Sequence, residues 1–101
     1  MGAFSDLLKG ILQKDEVWAK GRVIPNFDPS VWRWDSYGSV MRYSDYGQTP
    51  EYGWEIDHID PDGSDELWNL QPLNWLNNRR KSDKSAPDFL NDLLGLTRTR
   101  R

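Results

Sequence analysis

The feature that most constrains the fold of this chain is the order of strand-forming, turn-forming and helix-forming residues in the middle of the sequence. Residues 54–59 are rich in strand-forming side chains, and residues 60–65 consist only of Asp, Pro, Gly and Ser, which favour turns. Pro72 suits the first turn of a helix, and the mixed polar and apolar residues 73–84 fit a helix surface. Residues 37–43 form another run of strand formers upstream. The sequence therefore predicts two strands, at residues 37–43 and 54–59, followed by a helix from Pro72 to residue 84, within an α+β fold.

A further helix is predicted on each side of this unit. Ser5 suits the N-cap of a helix over residues 5–20, whose apolar residues recur at three-to-four spacing and are expected to be buried. These residues are Leu7, Leu8, Ile11, Leu12, Val17 and Trp18. Near the other end of the chain, Ser85 and Asp88 resemble a capping box ahead of a second apolar stripe. Its members are Phe89, Leu90, Leu93, Leu94 and Leu96.

The length of 101 residues corresponds to one domain with a modest core. We assign residues 1–97 to this domain, with a central motif at residues 54–84, and residues 98–101 to a basic tail. The chain has no cysteine, so a bound metal would need oxygen and nitrogen ligands. No stretch approaches the ~18 to 20 apolar residues that span a bilayer, and the N-terminal segment is unlike a signal peptide. These features predict a cytoplasmic protein without a membrane partner.

The charge of the chain is unevenly distributed. The formal net charge of -3 by itself argues against a nucleic-acid partner. Residues 55–66 contain six acidic groups and no Lys or Arg, whereas residues 79–101 contain seven basic groups. A divalent cation at the acidic loop would offset two of its charges and let the basic residues meet phosphates. A solvated helix face is the alternative interpretation of the basic run.

The only histidine of the chain lies inside the acidic segment. His58 follows Asp57, Asn69 stands eleven residues later, and Asn78 stands nine residues beyond that. The whole stretch reads WEIDHIDPDGSDELWNLQPLNWLNNRRK. In the order and spacing of these residues it resembles the HNH, or ββα-metal, nuclease family, in particular its small bacterial and phage members. The resemblance implies a β-hairpin and a crossing helix that grip one divalent cation, with additional N- and C-terminal helices.

The same resemblance assigns a role to each residue of the motif. His58 would be the general base, because histidine exchanges protons near neutral pH. Asp57 and Asn78 would bind the cation, with Mg²⁺ or Mn²⁺ preferred and Ni²⁺ or Zn²⁺ as alternatives. Asn69 would brace the turn after the strand, and Asp57 and His58 would reach one site only if that strand bends. The helical ligand is either Asn78 or its neighbour Asn77, and the register favours Asn78.

The implied reaction is the hydrolysis of a DNA phosphodiester bond, one strand at a time, by a monomer. Six basic residues are candidates for contacts with the DNA phosphates. They are Arg33, Arg42, Arg79, Arg80, Lys81 and Lys84. Two alternatives remain open: a non-catalytic module of the same fold that binds nucleic acid or protein, and a domain that becomes active only with a protein partner.

Overall fold

The computed structural model describes residues 2–49 and 51–96, with side chains from residue 7 onward. It confirms a small α+β domain, which within those residues has three α-helices and two antiparallel sheets. In chain order the elements are α1 (Gly2–Trp18), β1 (Arg22–Val23), β2 (Trp32–Trp34), β3 (Val40–Arg42), β4 (Trp54–His58), β5 (Leu70–Asn74), α2 (Trp75–Lys81) and α3 (Ala86–Leu93). Short 3-10 turns occupy Tyr43–Asp45 and Leu67–Asn69.

Helix α1 contacts the rest of the domain mainly through its last turn. It begins at Gly2, so Ser5 lies inside the helix rather than at its N-cap, and it ends at Trp18 rather than at residue 20. Val17 and Trp18 are buried, as predicted. The predicted burial of the earlier stripe is wrong, because only the C-terminal end of the helix is covered by the sheets. The exposed members are Leu7, Leu8, Ile11 and Leu12.

The first sheet has the strand order β1-β2-β3, and both pairings are antiparallel. The strand predicted over residues 37–43 is shorter and occupies Val40–Arg42. The residues before it form a turn around Asp35, whose carboxylate accepts hydrogen bonds from the N–H groups of Tyr37 and Ser39, both at 2.9 Å. This carboxylate therefore fixes the turn and shortens the strand.

The buried Asp35 carboxylate also joins the first sheet to the second. Its Oδ2 accepts a hydrogen bond from the Asn74 N–H at 3.0 Å and from Asn77 Nδ2 at 2.9 Å. Asn77 Nδ2 also donates to the hydroxyl of Ser39 at 2.9 Å. A fully buried carboxylate of this kind is tolerated because its oxygens are satisfied by several donors.

Strands β4 and β5 form a two-stranded antiparallel hairpin that leads directly into α2. The register pairs Trp54 with Asn74 and His58 with Leu70, one residue opposite one residue throughout. Strand β5 corrects the sequence analysis, which began a helix at Pro72. Every residue of β5 is buried. A strand that is covered on both faces need not alternate polar and apolar residues, so the sequence pattern did not identify it. A proline fits here because each strand of a two-stranded sheet has a free edge.

Helix α2 begins at Trp75, directly after Asn74, the last residue of β5. The Asn74 side chain caps the helix by accepting a hydrogen bond from the Leu76 N–H at 2.9 Å. Its amide nitrogen donates to the carbonyls of Val40 and Glu51, both at 2.9 Å. One side chain thus sets the start of α2 and ties it to the first sheet.

The aromatic core lies between α1 and the two sheets. Its members are Trp18, Met41 and Trp54, with Tyr43 and Ile56 packed against them. The ring centroids of Trp18 and Trp54 are 5.0 Å apart, and both indole N–H groups donate to backbone carbonyls. These two tryptophans therefore anchor the core, whereas Trp68 is 68% exposed.

The N-cap predicted for the last helix is present. The Ser85 hydroxyl accepts a hydrogen bond from the Asp88 N–H at 3.3 Å. Phe89 is buried and meets the Tyr37 ring edge to face, with the centroids 4.9 Å apart. The remaining apolar side chains of this helix and of the turn after it are exposed, because only the Phe89 side faces the domain. They are Leu90, Leu93, Leu94 and Leu96.

Some expectations about the chain as a whole stay predictions. They include the single domain at residues 1–97 and the location in the cytoplasm. The basic tail at residues 98–101 lies outside the described residues. Across the described part of the chain, no helix combines the length and the apolar character needed to cross a membrane.

Candidate functional site

The adjacent residues Asp57 and His58 lie on opposite faces of β4. The strand pairs regularly with β5 as far as His58, and successive side chains of a strand point to opposite faces. The regular pairing shows no bend at these two residues, so the condition for a shared site is not met. Asp57 faces α2, whereas His58 shares the face of Trp54 and Ile56.

The His58 imidazole lies at the end of the hairpin and is open to solvent. Its side chain is 41% exposed, and its Nε2 lies 2.7 Å from Oδ1 of Asp65, which is 92% exposed. A carboxylate only accepts hydrogen bonds, so Nε2 carries the hydrogen and Nδ1 of the neutral ring has a free lone pair. Nδ1 makes no hydrogen bond with any residue of the described part of the chain. The arrangement leaves one ring nitrogen free to accept a proton.

The loop that carries Asp65 is held by Asn69, whose side chain is 1% exposed. Asn69 Oδ1 accepts a hydrogen bond from the Asp60 N–H at 2.9 Å, and its Nδ2 donates to the carbonyls of Asp60 and Ser64 at 3.0 and 2.8 Å. A Cβ atom at Gly63 would lie 2.7 Å from the same Nδ2, so the loop also needs glycine there. These are the contacts with the turn that the sequence analysis expected of Asn69.

Replacing Asn69 by alanine is expected to lower the free energy of unfolding by about 1–3 kcal/mol, because partly buried groups of the turn lose their hydrogen-bond partners. Urea denaturation measures the change. The matched control is Asn91→Ala, since Asn91 is an exposed amide on α3, and its effect should stay within about 0.5 kcal/mol. An Asn69 variant as stable as this control would show that the loop does not depend on the amide.

Asp57 is a buried carboxylate that already has a cationic partner. Its side chain is 8% exposed, and Oδ2 lies 3.1 Å from Nζ of Lys81, which is 0% exposed. Lys81 also donates to the carbonyl of His58 at 2.9 Å, and Gln71 Nε2 donates to Asp57 Oδ2 at 3.0 Å. The prediction that Lys81 contacts DNA is wrong, because the ammonium group is enclosed between α2 and β4.

Gln71 extends this polar network toward the first sheet. Its Oε1 accepts a hydrogen bond from the Ser36 hydroxyl at 3.1 Å. Burial raises the pKa of the nearby Tyr37 phenol, and the negative charges of Asp57 and Asp35 raise it further, although a hydrogen bond with Gln71 acts in the opposite direction. Tyr37 therefore stays neutral at physiological pH, and the network carries no additional charge.

The two candidate helical ligands are clearly separated by the structure. Asn77 is buried and donates to Asp35 and Ser39, so its amide is committed to the fold. Asn78 is half-buried and lines a surface pocket together with Glu55. Asp57 does not line that pocket. Asn78 therefore lies beside Glu55 rather than beside Asp57, the carboxylate that the sequence analysis expected, and its role as a ligand stays a prediction.

A cation held by Asp57 and Asn78 does not fit these contacts. A divalent ion bound to Asp57 would lie close to the Lys81 ammonium, and at a separation of about 4 Å and an effective dielectric constant of about 20 the repulsion is on the order of 8 kcal/mol. Within residues 2–49 and 51–96, no three His, Asp or Glu side chains form a group able to hold a metal ion. Lys81 thus provides the positive charge beside Asp57 that the motif would assign to a metal ion.

No family model matches this chain, and no curated protein or solved structure matches it either. Membership of the HNH family therefore stays a proposal that rests on the residues of the motif. The geometry around His58 and Asp57 is what bears on it.

The two arginines predicted upstream are occupied within the domain. Arg33 donates to the backbone carbonyls of Pro29, Ala19 and Gly21 at 3.0, 3.2 and 2.8 Å and so links β2 to the end of α1. Arg42 forms an ion pair with Asp45, and its Nε lies 3.0 Å from the carboxylate. The structure gives Arg33 and Arg42 roles in the fold, and their contact with DNA stays a prediction.

The downstream basic residues differ in their availability. Lys84 forms an ion pair with Asp92, with Nζ 2.6 Å from the carboxylate. Arg79 is exposed, and its guanidinium lies 5.0 Å from the centroid of the Trp75 ring. Arg80 is exposed and has no hydrogen bond or ion pair with another residue of the described chain. Arg79 and Arg80 are therefore the predicted DNA contacts that the fold leaves available.

The sequence analysis missed Asp65 and Lys20 as neighbours of the motif. Asp65 was assigned to the turn, and a contact across seven residues with His58 has no periodic signal. Lys20 donates to the carbonyls of Leu67 and Leu70, the first at 2.8 Å, and burial lowers its pKa. Both contacts depend on how the loop and α1 meet the hairpin, which only the fold reveals.

Proposed function

We propose that this chain is an HNH-type domain that hydrolyses phosphodiester bonds of DNA, with His58 as the general base. The observation that carries the proposal is the His58 imidazole itself. It is exposed, its Nε2 is oriented by Asp65, and its Nδ1 is free. The loop that supplies Asp65 is braced by Asn69. A free and oriented imidazole is the arrangement that general-base catalysis requires.

In the proposed step, Nδ1 of His58 takes a proton from water while the water oxygen attacks the phosphorus atom. The bond from phosphorus to the 3′ oxygen breaks, and the departing oxygen takes a proton from solvent. The hydrogen bond from Nε2–H to Asp65 stabilises the imidazolium that forms. The exposed guanidinium group of Arg80 is suited to a DNA phosphate. One such site cuts one strand, so the expected product on duplex DNA is a nick.

The proposed reaction differs from the one that the motif implies, because Asp57 is paired with Lys81 instead of a metal ion. We assign no step to a cation, because Asp57 is already neutralised and shielded by Lys81. Whether Mg²⁺, Mn²⁺, Ni²⁺ or Zn²⁺ supports the reaction is measured directly by the activity assay, with EDTA as the comparison.

The proposal is tested by incubating the purified chain with supercoiled plasmid, with each of these four ions and with EDTA. Conversion to the open circular form under at least one condition is expected. The absence of nicking under every condition would contradict the proposal. Activity that requires an added ion would show that a cation takes part in the reaction.

A binding module without turnover is the second candidate function. It is favoured by the ion pair between Asp57 and Lys81, which occupies the carboxylate assigned to the metal. This candidate predicts a gel shift of DNA without nicking. A domain that depends on a protein partner predicts neither result for the isolated chain.

A further inference from the structure

A second group of polar side chains surrounds a pocket between α2, β4 and the chain before residue 50. Its volume is about 230 Å³. The lining residues are Gln48, Thr49, Glu55, Trp75, Asn78 and Arg79. We call this concavity the Glu55 pocket. Glu55 lies three residues before His58 on β4, about 10 Å away along the strand, and its side chain is on the opposite face of the strand from His58 and on the same face as Asp57.

The polar side chains of the Glu55 pocket do not hold the fold together. The carboxylate of Glu55 and the amides of Gln48 and Asn78 have no hydrogen bond or ion pair with another residue where the structure describes the chain. By contrast, the amides of Asn69 and Asn74 each make three hydrogen bonds. Free donors and acceptors that converge on one concavity are characteristic of binding sites.

The Glu55 pocket also brings together two opposite charges that do not pair with each other. The guanidinium of Arg79 is placed over the Trp75 ring, 5.0 Å from its centroid, and this contact fixes it at the rim. Glu55 and Arg79 line the same pocket but form no ion pair. A ligand between them must therefore donate N–H groups to the carboxylate and offer an acceptor to the guanidinium.

We propose that the Glu55 pocket binds the guanine base of an unpaired DNA strand, an inference that rests on the proposed action on DNA. The adjacent N1–H and N2–H groups of guanine match the two oxygens of Glu55, and its O6 and N7 are acceptors suited to Arg79. Gln48 and Asn78 add further donors and acceptors. Thymine presents one N–H between two carbonyl oxygens, which a carboxylate repels.

The preference is measured by fluorescence anisotropy with two labelled five-nucleotide strands, one of thymidine alone and one with a single central guanosine. The guanine strand is expected to bind about 10- to 100-fold more tightly, as a bidentate base contact discriminates in other complexes. Replacing the central guanine by hypoxanthine, which lacks the 2-amino group, should remove part of the gain. Equal binding of the guanine and thymine strands would overturn the inference.

Matched variants connect the preference to the pocket. Glu55→Gln should abolish most of the discrimination, and Arg79→Ala should weaken binding of the guanine strand. Arg80→Ala is the control for a lost phosphate contact, because Arg80 is adjacent and exposed but does not line the pocket. This variant should weaken binding of both strands equally and leave the guanine preference unchanged. His58→Ala should bind both strands as the wild type does, so loss of cleavage and loss of base binding are separate results. A guanine preference that survives Glu55→Gln in a folded variant would contradict the assignment.

Discussion

Changing His58 to alanine is expected to lower the rate of DNA nicking by about 10²- to 10⁴-fold, because the attacking water loses its general base. The free energy of unfolding should change little, since the ring is 41% exposed and its one hydrogen bond goes to an exposed carboxylate. The rate is measured under single-turnover conditions on supercoiled plasmid. Unfolding in urea is measured on the same preparation.

Two comparisons separate a catalytic role of His58 from a structural one. Imidazole added to the His58→Ala variant should restore part of the rate, because it can enter the space and accept the proton. Asp65→Asn keeps an oxygen near Nε2 but removes its charge, so a smaller loss than that of His58→Ala is expected. Nicking that continues unchanged in His58→Ala would show that the activity has another origin.

Changing Lys81 to methionine is expected to lower the free energy of unfolding by about 3–5 kcal/mol. Methionine keeps much of the side-chain length but leaves the buried Asp57 carboxylate without its cation, and the penalty of an uncompensated buried charge is of this size. The carbonyl of His58 also loses a donor. Urea denaturation measures the loss, and thermal unfolding should show it as a lower midpoint.

Lys84→Met is the matched control for this variant. Lys84 also forms an ion pair, with Asp92, but its side chain is 46% exposed, so the expected loss is below about 1 kcal/mol. In the double variant Asp57→Asn, Lys81→Met both charges are absent, and Gln71 still finds an oxygen to bind. Most of the stability should return. Equal losses in the Lys81 and Lys84 variants would contradict the importance of burial for this pair.

The sequence predicted those features that depend on neighbouring residues. The cap of α3 depends on Ser85 and Asp88, which are only three residues apart, and β4 depends on a continuous run of strand-forming residues. Local spacing fixes such contacts whatever the rest of the fold does. The role of Asn69 was instead implied by the resemblance to the HNH motif, and its partners Asp60 and Ser64 lie within nine residues of it.

Features that depend on distant residues were not predictable in the same way. Strand β5 is buried on both faces and contains Pro72, so its pattern resembled the start of a helix. The ion pair between Asp57 and Lys81 joins residues 24 positions apart, and it removes both from the roles that the motif suggested. The exposed stripe of α1 has the periodicity of a buried one, because periodicity does not show whether another element covers the helix.

Lys20 and Lys81 contact the end of the hairpin, and these contacts affect whether another β-strand can pair with its edges. Lys20 donates to the carbonyl of Leu70 and Lys81 to that of His58, and these two residues are opposite each other in the register. At this pair of residues, the outward-facing carbonyl of each strand of the hairpin therefore already accepts a hydrogen bond. A foreign β-chain that tried to extend this ribbon would find its acceptors there already taken by ammonium groups, which guards the hairpin against amyloid-like growth.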